Sequence, residues 1–186
     1  QLLPLQEAAR RVQVGLTAWS GLADKPELLS ETLALIDECK SCMIEPETLF
    51  RASEESALDE DAALSAKLRD LAQILTQYDS LCGETLPDPR DRLTHLRDGL
   101  AESHVLDGAE IYLDGFLSYT PQELAIIEVM LSSGVPLTAA VTCDVELPDV
   151  FVTGCRTLRT LTRMAERCSR RPELVDLGTG KMPRPA

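Results

Sequence analysis

Apolar residues recur every three or four positions through the first hundred residues, which predicts a series of amphipathic helices. The longest is expected to open at the acidic triplet 59–61. Its apolar positions are Leu64, Leu68, Leu71, Ile74, Leu75, Tyr78 and Leu81. Gly83 follows this run, and Pro87 and Pro89 disfavour any continuation. The pattern therefore predicts a helix that ends near Gly83.

Four further helices are predicted in the same region. Proline in the first turn, where its missing N–H costs little, marks starts at the Lys-Pro-Glu triplet 25–27 and the Glu-Pro-Glu triplet 45–47. A short amphipathic stretch covers Gln6–Thr17, and a last helix covers Arg90–Leu100. Residues 1–108 are therefore predicted to be all-helical.

The periodicity changes after Gly108. Ala109–Asp114 is typical of a short strand, and Val135–Thr142 is typical of a second one. Between them, the segment Thr-Pro-Gln-Glu at 120–123 has the form of a capping box with proline at the first helical position. Strand, helix and strand in this order predict a parallel βαβ unit.

The end of the chain adds one more helix, over Cys155–Cys168. Glu173–Leu177 could form a further strand, and the residues from Gly178 onward are expected to be coil. The predicted fold class is α/β with a large all-helical subdomain. Its domains are residues 1–108, helical, and residues 109–186, α/β.

Composition narrows the class of protein. The chain has 186 residues, of which 44% are hydrophobic and 26% charged, so it is not predicted to be globally disordered. No apolar run approaches the roughly 18 residues of a membrane span, so we expect no membrane association and a cytoplasmic location. Because the chain begins with Gln1 rather than Met, we interpret it as a piece of a longer protein.

Charge is unevenly distributed along the chain. The net charge is −13, which argues against binding nucleic acid over the whole surface. Residues 1–108 carry 10 basic and 21 acidic side chains, a net charge of −11, whereas residues 109–186 carry a net charge of −2. Residues 156–186 reverse the balance, with 8 basic and 3 acidic side chains.

This basic end contains arginines three or four positions apart, which a helix would align on one face. They are Arg156, Arg159, Arg163, Arg167 and Arg170. A positive stripe of this kind could follow a phosphate backbone. The alternative is a solvated face whose last arginines suit the negative end of a helix.

Asp114 lies at the carboxyl end of the first predicted strand. Parallel sheets place metal and phosphate chemistry at this edge, so Asp114 could hold Mg²⁺ through water while a nucleotide supplies the phosphates. Alternatively, Asp114 only ends the strand and accepts a hydrogen bond within an Asp-Gly turn.

The second half resembles a known family over roughly residues 108–168. The segments that carry the resemblance are Ile-Tyr-Leu-Asp-Gly-Phe at 111–116, Tyr-Thr-Pro-Gln-Glu at 119–123, Pro-Leu-Thr-Ala-Ala-Val-Thr-Cys-Asp at 136–144, Asp-Val-Phe at 149–151 and the helix at 157–161. They are similar to the AddB (RexB) component of the bacterial AddAB (RexAB) ATP-dependent helicase/deoxyribonucleases. The helical first half resembles this family only in its placement and helix content.

The resemblance implies a fold. The amino-terminal part of this family is similar to a superfamily 1 helicase motor, in which a helical subdomain is inserted into a RecA-like domain. It thus implies that residues 1–108 are this insertion and that residues 109–186 are part of a RecA-like parallel sheet of the P-loop NTPase type.

The same resemblance places the first strand at the Walker B motif. In such motors an Asp binds Mg²⁺ and the next residue, a Glu, positions the attacking water. Here Asp114 is followed by Gly115, which has no carboxylate. The motif is therefore degenerate, and the resemblance implies a motor that has lost, or nearly lost, ATP hydrolysis. The phosphate-binding loop of such motors is absent from this sequence, and Gly178–Lys181 lacks its spacing.

Three residues beyond the strand are implied to face nucleotide or single-stranded DNA. They are Phe116, Tyr119 and Gln122. Aromatic side chains at such a surface could stack on bases. Packing against the next strand is the alternative explanation.

The six cysteines are interpreted as reduced structural thiols, since Cys39 and Cys42 form a lone CxxC motif without a second pair. His95 and His104 suggest no metal motif. No cofactor is predicted for this piece. For the full-length family the resemblance implies ATP with Mg²⁺ and an iron–sulfur cluster, whose cysteines belong to a carboxy-terminal nuclease outside this sequence.

These expectations lead to a functional hypothesis. The chain is interpreted as a non-catalytic piece of a helicase–nuclease subunit that processes double-strand breaks for recombinational repair, with DNA and an AddA-like subunit as partners. Two alternatives stay open. One is a helical interaction module on a degenerate nucleotide-binding fold with no DNA role, and the other is a small α/β enzyme that uses Asp114.

Overall fold

The computed structural model describes residues 2–85, 88–144 and 146–177. The expected coil from Gly178 onward and the predicted stop at Pro87 lie outside these residues. The chain divides into two compact units. The first is Gln1–Glu102 with Tyr119–Ile126, and the second is Ser103–Ser118 with Ile127–Ala186. The domain boundary predicted at residue 108 stays a prediction.

The first unit is helical, as predicted. Its α-helices are α1 (Leu2–Val12), α2 (Pro26–Ser41), α3 (Pro46–Leu58), α4 (Ala62–Thr85) and α5 (Arg92–Glu102). Short 3-10 turns lie at Gln13–Gly15, Leu22–Asp24 and Pro89–Asp91. The starts expected at residues 25–27 and 45–47 are confirmed, since a proline is the first residue of both α2 and α3.

The core of this unit forms around α4, which packs against α1 and α3. Its apolar stripe is largely buried, as the periodicity predicts. Members of the core from α4 are Leu71, Ala72, Ile74, Leu75, Tyr78, Leu81 and Cys82. The backbone N–H of Leu64 donates a hydrogen bond of 3.0 Å to Asp61, which confirms the acidic helix start.

Two helix boundaries differ from prediction. The helix expected over Gln6–Thr17 begins at Leu2 and ends at Val12. Gly83 does not end α4, because the helix continues to Thr85. The neighbouring residues Leu81 and Cys82 are buried in the core, and this packing outweighs the roughly 1 kcal/mol that a glycine costs inside a helix.

The second unit contains a parallel pair of strands, β1 (Ile111–Leu113) and β2 (Leu137–Ala139). Helix α6 (Pro121–Ser133) connects them along the chain, and α7 (Val152–Arg167) follows. The predicted strand–helix–strand order and its parallel pairing are thereby confirmed, although both strands are shorter than expected. The larger RecA-like sheet stays a prediction.

Further differences concern the end of the chain. Within the described residues, Glu173–Leu177 forms no strand, so that expectation is wrong. Helix α7 begins at Val152 rather than Cys155, and it ends before Cys168. None of the helices in the described part of the chain is both long and apolar enough to cross a membrane.

Several helix ends carry no glycine signal in the sequence. Residues just past α2, α3 and α7 adopt left-handed backbone conformations, and they are Met43, Glu60 and Ser169, with φ of 55°, 64° and 57°. Backbone hydrogen bonds such as Ile44 N–H to the Cys39 carbonyl (2.8 Å) close these turns. Because the bonds compensate the strain of the left-handed conformation, non-glycine residues end these helices.

Candidate nucleotide and nucleic-acid surface

The loop that follows β1 carries the predicted nucleotide-binding residues. Asp114 is exposed directly after the strand, and Phe116 is 43% exposed. Gly115 has a φ of +83°, in the left-handed region that favours glycine. A glutamate at this position would have open space but a strained backbone. The missing carboxylate therefore agrees with the local backbone conformation.

The start of α6, in the first unit, is held by polar contacts. The Thr120 backbone N–H donates to the Glu123 carboxylate (2.7 Å), and the Glu123 N–H donates to the Thr120 hydroxyl (3.3 Å). This confirms the predicted capping box. The Glu123 carboxylate thus occupies the place at the helix N-terminus that a phosphate group would otherwise take.

Gln122 is only 6% exposed. Its amide nitrogen donates to the Arg90 carbonyl and to the Thr94 hydroxyl, both at 3.2 Å. These bonds attach the first turn of α6 to the start of α5. Tyr119 is half-buried, and burial together with the nearby Glu123 raises the pKa of its hydroxyl. The DNA contacts of Tyr119 and Gln122 stay predictions.

Helix α7 lies against the segments that follow both strands of the second unit. The Thr157 hydroxyl donates to the Leu117 carbonyl (2.8 Å), beyond β1. The Cys155 thiol donates to the Asp144 carbonyl (3.5 Å), beyond β2. The amino-terminal half of α7 thus lies at the carboxyl edge of the parallel strands, where sheets of this kind bind ligands.

Gly154 permits this close approach. A Cβ atom on Gly154 would lie well inside contact distance of the Thr142 carbonyl oxygen and 3.1 Å from Cys143 Cβ. The obstacle is backbone rather than a flexible side chain. Sequence reasoning passed over this position, although a glycine inside a predicted helix often marks close packing.

Replacing Gly154 with alanine is expected to destabilise the second unit by about 2–3 kcal/mol, because the backbone must shift to accommodate the methyl group. Urea denaturation of the 186-residue chain measures this. Gly99→Ala in α5 is the matched control, since its Cβ would contact nothing within 4 Å and alanine favours a helix by about 1 kcal/mol. Equal stabilities for the two variants would contradict the close approach.

The arginines of α7 form a face opposite its buried side. At 100° per residue, Arg156, Arg159, Arg163 and Arg167 fall within an arc of about 80°. All four are exposed. The buried side includes Thr157, Met164 and Ala165. We call Arg156, Arg159, Arg163 and Arg167 the arginine face.

The members of the arginine face differ in their partners. Arg167 forms an exposed ion pair with Glu128 (3.2 Å). Arg156, Arg159 and Arg163 form no ion pair within the part of the chain that the structure describes. These three guanidinium groups are therefore available to an anionic ligand.

Arg170 differs from the sequence prediction. It lies beyond the end of α7, so it does not extend the helical stripe. Its Nε donates to the Leu131 carbonyl (2.9 Å) in the last turn of α6. A cation at the carboxyl end of a helix is favourable, so Arg170 serves the fold at this place.

The six cysteines are free thiols. Among the described residues, no group of three or more His, Cys, Asp or Glu side chains is arranged to hold a metal ion. Within that part of the chain, Asp114 is thus a single carboxylate that belongs to no such group.

Comparison with known proteins decides the family. The family model described as "ADDB, N-terminal" matches residues 2–180. The chain belongs to the AddB N-terminal family. The resemblance seen in the second half is confirmed, and the match also includes the helical first half.

Relatives with curated names agree with this family. Three of them, each from a different bacterium, are named as the B-type subunits of ATP-dependent helicase/deoxyribonucleases. The Symbiobacterium thermophilum protein is 36% identical over 114 residues, covering 60% of this chain and 10% of the relative. The Acetivibrio thermocellus protein is 32% identical over 153 residues, covering 80% and 13%. The Alkaliphilus oremlandii protein is 25% identical over 183 residues, covering 96% and 16%. The chain thus spans between a tenth and a sixth of the length of these relatives.

Proposed function

We propose that this AddB-family chain is the helicase-like DNA-scanning and scaffold region of a helicase–nuclease subunit that processes double-strand DNA ends for recombinational repair. In this proposal residues 1–108 are a helical insertion and residues 109–186 are part of a RecA-like domain. Catalysis belongs to the rest of the subunit and to an AddA-like partner. The names of the relatives support a role beside a helicase and a deoxyribonuclease.

The observation that carries the DNA-binding part of the proposal is the arginine face. Three guanidinium groups without ion pairs among the described residues, on Arg156, Arg159 and Arg163, project from two successive turns on the solvent side of α7. They span about 10 Å along the helix axis. Cations in this arrangement suit the repeated phosphates of a nucleic-acid strand.

Position supports the same interpretation. The arginine face belongs to the helix whose Thr157 holds the loop after β1, and that loop carries Phe116. A partly exposed aromatic ring near a positive surface is the combination that single-stranded DNA favours, through base stacking and phosphate contacts. We therefore propose single-stranded DNA as the ligand of this surface.

Binding of the 186-residue chain to a fluorescent single-stranded oligonucleotide tests the proposal. With three phosphates neutralised, the logarithm of the binding constant should fall against the logarithm of salt concentration with a slope of about −2, or about 20-fold between 50 and 200 mM salt. Changing Arg156, Arg159 and Arg163 together to Gln should weaken binding at 50 mM salt by at least 10-fold and bring the slope near zero.

A matched control removes the same charge elsewhere. Arg10, Arg51 and Arg69 are exposed residues of the helical unit, and the triple Gln variant at these positions has the same net charge as the test variant. It should bind DNA as the unchanged chain does. Equal losses in both variants would reduce the effect to net charge. No binding at 50 mM salt would favour a helical interaction module without a DNA role.

Asp114 and Gly115 form the proposed degenerate Walker B motif. Exposure of Asp114 at the carboxyl end of β1 supports its place in a nucleotide site, and the left-handed Gly115 agrees with the absence of a hydrolytic base. The described residues supply one carboxylate and no group of three metal ligands, so they do not by themselves fit a nucleotide–Mg²⁺ complex. We accordingly propose that this region does not hydrolyse ATP.

A further inference from the structure

Two cysteines of the second unit lie where α7 meets the segment after β2. Cys143 is half-buried in that segment, and Cys155 is buried near the start of α7. The Cys155 sulfur lies 3.5 Å from the carbonyl oxygen of Asp144, the residue that follows Cys143. The two thiol groups are therefore neighbours in space although 12 residues separate them in sequence.

The backbones around the two cysteines are also close. Gly154 precedes Cys155, and a Cβ atom placed on it would lie 3.1 Å from Cys143 Cβ. Disulfides require Cβ atoms about 3.5–4.5 Å apart. A separation of this order between neighbouring segments brings Cys143 and Cys155 within reach of a disulfide with little movement of the chain.

We propose that Cys143 and Cys155 are a covalent modification site that closes to an intramolecular disulfide on reaction with a small-molecule disulfide, such as glutathione disulfide. The Cys143 thiolate attacks one sulfur of the oxidant, and one glutathione thiolate leaves. The Cys155 thiol then loses its proton and attacks the Cys143 sulfur, which expels the second glutathione. The cysteine pair loses two electrons, and glutathione disulfide is reduced to two glutathione molecules.

Exposure sets the order of the two steps. Cys143 is the more accessible thiol, whereas Cys155 is only 4% exposed. Burial and the neighbouring Cys155 thiol raise the pKa of Cys143. The thiolate is the attacking species, so the reaction is slow at pH 7 and accelerates as the pH rises.

Cys168 provides the control within the same unit. It follows the last turn of α7, where its sulfur accepts a hydrogen bond from the Ser132 hydroxyl (3.5 Å). Thirteen residues along a helix correspond to about 20 Å, so Cys168 lies too far from Cys155 to pair with it. Oxidation should therefore leave Cys168 reduced or joined only to glutathione.

Closing this disulfide would tie the start of α7 to the segment after β2. The link closes a loop of 13 residues, residues 143–155, which restricts the unfolded chain. It would also fix the helix that carries the arginine face. The denaturation midpoint of the second unit is expected to rise on oxidation and to return on reduction.

Peptide mapping of the oxidised 186-residue chain tests the proposal. After reaction with glutathione disulfide at pH 8 and blocking with N-ethylmaleimide, trypsin leaves both cysteines in one peptide, because no Lys or Arg lies between Arg97 and Arg156. A Glu-specific protease then cuts after Glu146. The peptides 129–146 and 147–156 should remain joined until a reductant is added.

Three variants make the result decisive. Cys143→Ser and Cys155→Ala should each lose the joined peptides, whereas Cys168→Ser should keep them. Circular dichroism reports whether the Cys155 variant folds, and Cys143→Ser tests the link at the more exposed site. Recovery of Cys143 joined to glutathione, with Cys155 carrying N-ethylmaleimide, would overturn the proposal. So would joined peptides that persist in the Cys143→Ser variant.

Discussion

Replacing Lys40 with methionine is expected to destabilise the helical unit by about 3–5 kcal/mol, because it removes one partner of a buried ion cluster. The Lys40 ammonium is 9% exposed and lies 2.8 Å from Asp79, 3.3 Å from Asp88 and 2.8 Å from Asp91. The Asp88 side chain is fully buried. Methionine preserves the apolar stem of Lys40 but leaves three carboxylates close together without its charge.

The pKa directions in this cluster support the expectation. Burial opposes the charge of Lys40, but hydrogen bonds to Asp79 and Asp91 outweigh it and raise its pKa. Burial also opposes the charge of Asp88, but the Arg90 backbone N–H and the charge of Lys40 outweigh it and lower its pKa. Both groups are therefore charged at neutral pH. For Asp79, burial prevails and raises the pKa.

The pH dependence follows from these signs. A carboxylate with a lowered pKa contributes stability above its unfolded pKa, near 4, and loses it as the pH falls through the folded value. Asp88 belongs to this class, whereas the raised pKa of Asp79 acts in the opposite direction. The stability deficit of Lys40→Met should therefore be largest near pH 7 and should shrink as the carboxylates become protonated.

Urea denaturation at pH 7 and pH 4 measures both effects. Lys67→Met is the matched control, because Lys67 is exposed on α4 and forms no ion pair within the described residues. Its stability should change by less than about 0.5 kcal/mol. A Lys40 variant as stable as the Lys67 variant at pH 7 would show that the cluster contributes nothing.

Replacing Asp70 with asparagine is expected to cost the helical unit about 3 kcal/mol, since hydrogen bonds to a charged acceptor contribute about 1.5–3 kcal/mol each. Asp70 is fully buried on α4. Its Oδ2 accepts the backbone N–H groups of Thr17 (2.9 Å), Ala18 (2.7 Å) and Trp19 (2.9 Å). An asparagine has the same shape, but it is neutral and its amide N–H groups face these donors.

The Asp70 variant is tested by the same denaturation experiment. Asp98→Asn is its control, because Asp98 is exposed on α5 and bonds only to the adjacent Arg97 among the described residues. That substitution should change stability by less than about 0.5 kcal/mol. A loss below about 1 kcal/mol for Asp70→Asn would mean that the turn at Thr17–Trp19 does not depend on the carboxylate.

Sequence periodicity predicted most of the helices because their stability comes from an apolar face that repeats locally. Proline and acidic residues marked the starts of α2, α3 and α4 for equally local reasons. Their ends were less predictable. Met43 and Glu60 occupy positions where glycine is usual, so the sequence contained no stop signal there.

The candidate site was predicted in part. Spacing alone predicted that Arg156, Arg159 and Arg163 would share one face of a helix, and α7 places them there. It did not separate them from Arg167 and Arg170, whose partners Glu128 and Leu131 lie on another helix. Nor did it predict that Gln122 would be buried against the start of α5.

The sequence by itself determined the family, the helical first half and the parallel strand pair, because each depends on local pattern or on a contiguous motif. Tertiary structure alone decided which polar groups meet. Asp70 binds a turn more than 50 residues away, Lys40 gathers carboxylates from 39 to 51 residues away, and Cys155 reaches the segment after β2. Spacing along a chain does not encode such contacts, since they exist only after the hydrophobic faces have packed and brought distant segments together.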